Sequence, residues 1–199
     1  MNETNDFPPL IGDGKGCYRI RMLGNSAAQL ASILNLPLLS LDKVLFRPGW
    51  KEVADEDFRE RIQDFVEENM ESGWVVDGDY ERRGGSVLQE LATDVIWLDP
   101  PFLLYFPRII LRTFLRILGL APPCSPGCRE TPRNVFFSKE SIIWYCITQH
   151  RPKRQKNVVR MELWGLGVGS QGQKMRRLEG WGAELREWMD SIRAMKRSK

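Results

Sequence analysis

Carboxylates recur in this sequence at the ends of short apolar runs. Asp42 closes LLSL, Asp77 closes WVV and is followed by Gly78-Asp79, and Asp99 closes DVIWL. A fourth run, YRIRML, ends instead in Gly24-Asn25-Ser26. Aspartates at turns often do no more than cap a helix or close the turn. Gathered on one rim, they suit a Mg²⁺-phosphate site or one that binds a substrate hydroxyl. Arginines form the second group. Arg108, Arg112 and Arg116 recur at helical spacing and share one face, with Leu, Ile and Phe on the other. Arg82 and Arg83 follow Asp77, and Arg151 and Arg154 lie in HRPKRQK. Guanidinium groups bind phosphate bidentately, and phosphoryl transfer depends mainly on positioning and charge stabilisation. The same pattern also fits a solvated surface, an anionic membrane surface or a nucleic-acid patch. Trp50, in RPGW, has no core periodicity and is a candidate pocket wall.

The elements that would hold these residues alternate. Strands are expected at Tyr18–Leu23, Leu38–Leu41, Trp74–Asp77 and Asp94–Leu98, with a fifth at Val158–Trp164. Helices are expected at Ala27–Leu34 with Ser26 as N-cap, Asp55–Met70, Ser86–Leu91, Phe102–Leu118 and Lys139–Thr148. A closing helix over Lys174–Met195 carries Leu178, Trp181, Leu185, Trp188 and Ile192 on one face. Loops are expected over Ala121–Arg133, the basic stretch His150–Lys156 and Gly165–Gly172. Strands alternating with helices predict an α/β fold with a mainly parallel sheet. Ligands of such sheets bind beyond the carboxyl ends of the strands. Residues 1–16 read as a loose leader, 17–195 as one domain and 196–199 as a basic tail. GDGKG at Gly12–Gly16 precedes a strand instead of joining strand to helix, so it reads as a flexible turn and not a phosphate loop.

A chain of 199 residues can bury a substantial core, and 42% hydrophobic with 28% charged residues is ordinary for a globular domain. Net charge +3 is too small to imply nucleic acid as a partner. Four cysteines suit a reduced cytoplasmic protein better than a disulfide scaffold. Cys124 and Cys128 are spaced CxxxC, which is poor metal-ligand spacing. No signal peptide is recognisable, and no apolar run reaches the ~20 residues of a membrane span.

The strings LSLDKVLFRPGW, WVVDGDYERR and DVIWLDPP, then the RTFLR helix and RPKR, resemble in order the small adenylate-kinase-like P-loop kinases. The group similar to them is sometimes called topology modulation proteins, and the likeness covers about residues 18 to 160. The resemblance implies a three-layer P-loop NTPase of nucleoside-monophosphate-kinase type, with about five parallel strands and a helical lid at about 117–156. It implies ATP and Mg²⁺ as cofactors and a nucleotide or small hydroxyl or phosphate compound as substrate. Asp77 would hold Mg²⁺ through water and act in catalysis with Arg112, Arg116 and Arg151. Gly24, Asn25, Ser26 and Arg154 would bind nucleotide phosphates. Asp42, Arg47, Trp50, Arg82 and Arg83 would face the substrate.

One departure cuts across this likeness. In the family, a turn such as Gly24-Asn25-Ser26 continues through glycine, lysine and Ser/Thr before the helix. Here Ser26 runs directly into AAQLASILNLP, as though a block of about seven residues were removed between intact flanks. The lost lysine and loop N–H groups amount to roughly 5 kcal/mol of phosphate binding, at about 1.5–3 kcal/mol per charged hydrogen bond. That is more than about a thousandfold in affinity. Phosphoryl transfer is therefore expected to be weak or absent, leaving either an impaired kinase or an inactive nucleotide-fold binding protein.

Overall fold

The computed structural model describes residues 7–136, 141–169 and 172–198. Five strands form one parallel sheet: β1 Arg19–Leu23, β2 Leu38–Ser40, β5 Trp74–Asp77, β6 Asp94–Asp99 and β7 Met175–Glu179. Their order is β2-β5-β1-β6-β7, so the first strand in sequence lies at the centre. Ser40 pairs with Asp77, Met22 with Asp77 and Asp99 with Glu179, which brings the carboxyl ends to one rim. A separate two-stranded hairpin joins β3 Phe46–Arg47 to β4 Lys51–Glu52.

Both faces of the sheet are covered, as the continuous apolar character of WVV and VIW requires. On one face Trp74, Val76, Val95 and Trp97 pack with Phe58, Ile62 and Val66 of α3 (Asp55–Glu68) and with Leu88 of α4 (Ser86–Leu91). On the other, Ile20, Met22, Val75 and Ile96 meet Leu30 and Ala31 of α1 (Ala27–Leu34) and Trp188, Met189 and Ile192 of α8 (Ala183–Arg197). Full burial of each such side chain contributes about 1.5–3 kcal/mol. The remaining helices are α2 Leu41–Leu45, α5 Phe102–Ile117, α6 Pro132–Phe136 and α7 Ile142–Trp164. Among the described residues no helix is long and apolar enough to cross a membrane.

The short crossover from β1 to β2 closes without a break. Asn35 adopts the left-handed conformation at the end of α1 (φ 57°), and the Leu36 N–H returns to the Ala31 carbonyl at 3.0 Å. Ser26 flanks α1 but its hydroxyl makes no capping bond; its carbonyl accepts from the Leu30 N–H instead.

Several sequence expectations are corrected. Val158–Trp164 is not a strand, and His150–Lys156 is not a loop: both belong to α7, which carries Pro152 within it on its exposed side. Apolar residues are spread around α7 instead of forming one stripe, so the helical period is hidden. The expected helix start at Lys139 lies outside the described residues. The fifth strand is Met175–Glu179, where the closing helix was expected to begin. Leu178 is buried on that strand and Trp181 is exposed in the turn after it. Gly182, at φ 102°, flanks α8 in a conformation that would strain any other residue. β2 ends at Ser40, so Asp42 lies in the first turn of α2. The second half of the leader is packed: the Asp94 carboxylate accepts from the Ile11 and Gly12 N–H groups at 2.7 and 3.0 Å. The Trp188 indole also donates to the Pro9 carbonyl at 2.8 Å. Asp94 opens β6, so the GDGKG turn follows a segment tied to the edge opposite the carboxyl rim.

Candidate functional site

The carboxyl rim divides into two halves about the turn that follows β1. That turn has only three residues, Gly24 to Ser26, before α1 begins. Gly24 sits at φ 154°, and a Cβ there would come within 2.7 Å of Leu98 Cβ. β1 and β6 thus close tightly where a phosphate loop would have to rise. The first N–H groups of α1 remain, but neither a lysine nor a Ser/Thr follows them on the helix's first turn.

On the β6 side, Asp99 receives Arg154 of α7, whose Nε lies 3.0 Å away, and Arg177 of β7. Arg177 also stacks its guanidinium over the Trp97 ring, 4.7 Å from the centroid. Arg151 is exposed one turn before Arg154. Together with Gln155, Val158 and Val159 they line an open groove of about 450 Å³. Arg154, expected from sequence to bind nucleotide phosphates, is engaged by a protein carboxylate.

On the β2–β5 side the chemistry differs. Asp77 ends β5, largely enclosed, and its carboxyl is pushed up to about 7 by burial and by the neighbouring Asp42 carboxylate. Asp42 accepts from the Tyr80 hydroxyl at 2.5 Å, and the Cys124 thiol lies 3.8 Å from its other oxygen. Burial, with Asp42 second, pushes both the Tyr80 phenol and the Cys124 thiol up, so both stay protonated donors. Cys124 is also within electrostatic reach of Arg112 and Arg116. Arg116 is bound to Glu130 at 3.0 Å and to the Pro122 carbonyl. The Nε of Arg112 is buried with no hydrogen-bond partner. Arg112 is linked to this cluster through Cys124, and a buried donor without a partner near a raised carboxyl marks the cluster as a candidate site for an oxygen-bearing ligand.

Above this half sits a closed cover. The loop Cys124–Arg129 is tied to the β3–β4 hairpin: Gly49 N–H donates to the Gly127 carbonyl, Trp50 Nε1–H to Arg129, Ser125 to Phe46 and Cys128 to Arg47. Trp50 holds a left-handed backbone (φ 62°) to make its contact and stacks edge-on against Phe46. It therefore braces the cover.

Asp79 lies two residues beyond Asp77 and is engaged quite differently. Arg160 of α7 and the fully buried Arg21 of β1 meet one of its oxygens at 3.0 and 3.2 Å, and Lys156 meets the other at 3.5 Å. Burial alone would raise its pKa, but the hydrogen bond and charge of Arg160, with Lys156 and Arg21, hold it below the usual carboxylate range. This network ties α7 to β1 and the turn after β5.

Of the expected substrate residues, Asp42 reaches the Asp77 half and Trp50 its cover. Arg47 forms an exposed pair with Asp57 at 3.1 Å, and Arg83 pairs with Glu52 at 2.6 Å and with Asp55 at 3.5 Å. Arg82 is exposed in the 3-10 turn Glu81–Arg83. Tyr80, Cys124, Arg21 and Arg160 were missed from sequence. An arginine in the middle of an otherwise apolar strand, as in RIRML, was the available signal for Arg21.

The fit to Mg²⁺ and ATP is poor on these residues. Among the described residues, no group of three or more His, Cys, Asp and Glu converges as a metal site. The β1–α1 turn is too short to cradle phosphates, and Arg154 is spent on Asp99. No known protein family matches the chain, and no curated protein matches it.

Proposed function

We propose that this chain has the architecture of a P-loop nucleoside-monophosphate-kinase-like protein, with ATP-dependent phosphoryl transfer impaired by loss of the donor-phosphate loop. What remains is an acceptor-side pocket for a small hydroxyl- or phosphate-bearing compound. One observation carries this reading: the raised carboxyl of Asp77, beside Asp42, shares its end of the sheet with a buried Arg112 donor that has no partner. The central β1 with β5 on one side and β6 on the other, and arginines brought to the rim by separate helices, support the kinase-like comparison. In the pocket, Arg112 would bind an anionic oxygen and Asp77 would exchange a hydrogen bond with a substrate hydroxyl. The compartment we propose is the cytoplasm, on the strength of four free thiols.

The inactive-binding-protein reading is favoured by one further feature, the engagement of Arg154 and Arg177 by Asp99. Titration calorimetry with Mg-ATP separates the two readings. We expect binding weaker than about micromolar, because the missing contacts cost more than about a thousandfold. Tighter binding with turnover abolished in Asp77→Asn would restore an active kinase. A companion test is the transcript across the Ser26–Ala27 junction, where reads supplying a glycine-lysine-Ser/Thr insert would show a longer, competent isoform.

A further inference from the structure

Helix α5 is turned inside out relative to an ordinary surface helix. Its inward face carries buried Ile109 and Thr113 together with Arg112 and Arg116, which reach the Asp42–Cys124 region. Its outward face carries Leu103, Pro107, Leu111 and Leu118, one stripe at helical spacing that continues into Leu120. The four leucines are 75%, 61%, 67% and 72% exposed. Such a row exceeds the scattered single leucines of an ordinary protein surface.

Charge decides what fits this face. Between Phe102 and Trp164 the sequence has eleven Lys and Arg against three Asp and Glu, a net +8 in a chain of net +3. From Phe102 to Arg129 there is no acidic residue at all, and Arg108 and Arg129 are exposed near the two ends of the stripe. A second copy would bring the same positive segment against itself. A nucleic acid would leave the leucines unused. An apolar stripe with exposed arginines near its ends, in a segment without acidic residues from Phe102 to Arg129, matches the headgroup boundary of an anionic bilayer.

We infer that the outward face of α5 docks this protein reversibly on anionic membrane surfaces, with the leucines entering the headgroup boundary and the arginines contacting lipid phosphates. The helix lies along the surface and does not cross it. This inference stands independently of the phosphotransferase reading, since it uses the opposite face of the helix.

The test is co-sedimentation of the full chain with vesicles of phosphatidylcholine alone and of phosphatidylcholine containing about a third phosphatidylserine. Expected are binding to the mixed vesicles, its loss at high salt, and roughly a tenfold or greater weakening in Leu103→Ser/Leu111→Ser/Leu118→Ser. Arg108→Glu should weaken binding by about tenfold and make the salt dependence shallower. All four positions are exposed, and unchanged circular dichroism would verify folding of the variants. Absence of binding to the mixed vesicles would overturn the inference, as would triple-variant binding equal to that of the parent chain. A dimer in sedimentation velocity that the triple variant dissolves, without vesicle binding, would assign the stripe to a second copy instead.

Discussion

Asp77 and Asp79 are two residues apart at the end of one strand, and the protein treats them in opposite ways. Asp79 is surrounded by Arg21, Lys156 and Arg160, and its charge is needed. Asp77 neighbours the Asp42 carboxylate, no cation among the described residues pairs with it, and its charge is resisted. The first is a strut, since removing its charge would strand buried guanidinium groups. The second costs the fold stability when it is ionised, a condition common among functional carboxyls. Carboxylates at strand ends are thus not one class, although they look alike in sequence.

The largest effect is expected from Asp79→Ala. It leaves fully buried Arg21 without its ion-pair partner and nearly buried Arg160 with Glu81 alone at 3.0 Å, and loss of one partner in such a buried arrangement costs about 3–5 kcal/mol. Urea unfolding at neutral pH measures this, and a loss comparable to that of an exposed ion pair would erase the distinction between the two aspartates.

Asp77→Asn should act in the other direction. The folded carboxyl is raised to about 7 from an unfolded value near 3.8, so the native state holds its proton more tightly. Stability drawn from that protonated form is fully present below pH ~4, declines as pH rises through the folded value, and is gone above it. The asparagine variant lacks this decline and should gain on the parent by about 1–3 kcal/mol above neutrality, with little difference near pH 4. Asp79, held below its ordinary value, behaves oppositely: its stabilisation is present above about pH 4 and is lost in acid. Unfolding curves of the parent and the two variants across pH resolve the opposing trends.

The smallest effect is expected from Tyr80→Phe. It removes the donor that Asp42 receives at 2.5 Å and leaves that oxygen with only the long contact from Cys124. A loss of about 0.5–1.5 kcal/mol follows from losing one hydrogen bond to a part-buried acceptor. Thermal unfolding checks it, and full retention of stability would show that Asp42 is solvated and not enclosed.

Much of the sheet was legible because WVVD and DVIWLD are compact apolar runs that end on turn residues. Gly24 was legible as the end of β1 for the same reason. The failures have physical causes. Val158 and Val159 read as strand because β-branched residues favour strands, yet a long helix anchored at buried Asn157 and Arg160 overrode that preference. MRRLE concealed β7 because Arg176 and Arg177 spend their charges on neighbours, Arg176 reaching the Pro8 carbonyl and Arg177 reaching Asp99. The Asp42–Asp77 cluster was half legible. Asp42 and Asp77 follow from strand-end logic, but the bonds from Tyr80 and Cys124 to Asp42 span 38 and 82 positions, which no local pattern encodes. Helical spacing grouped Arg112 and Arg116 on α5, but Arg108 is exposed, buried Ile109 lies on the arginine side, and the spacing does not say which face looks inward.

The placement of β1 also governs how the chain must assemble. This strand is synthesised first, yet its partners are Trp74–Asp77 on one side and Asp94–Trp97 on the other. Ile20 and Met22 therefore have no lasting shelter until nearly half the polypeptide has emerged. Long-range parallel pairing of this kind is slow and leaves apolar segments exposed while it is pending. A nascent chain whose β6 is still inside the ribosome would present YRIRML to chaperones, and only the emergence of β6 withdraws it.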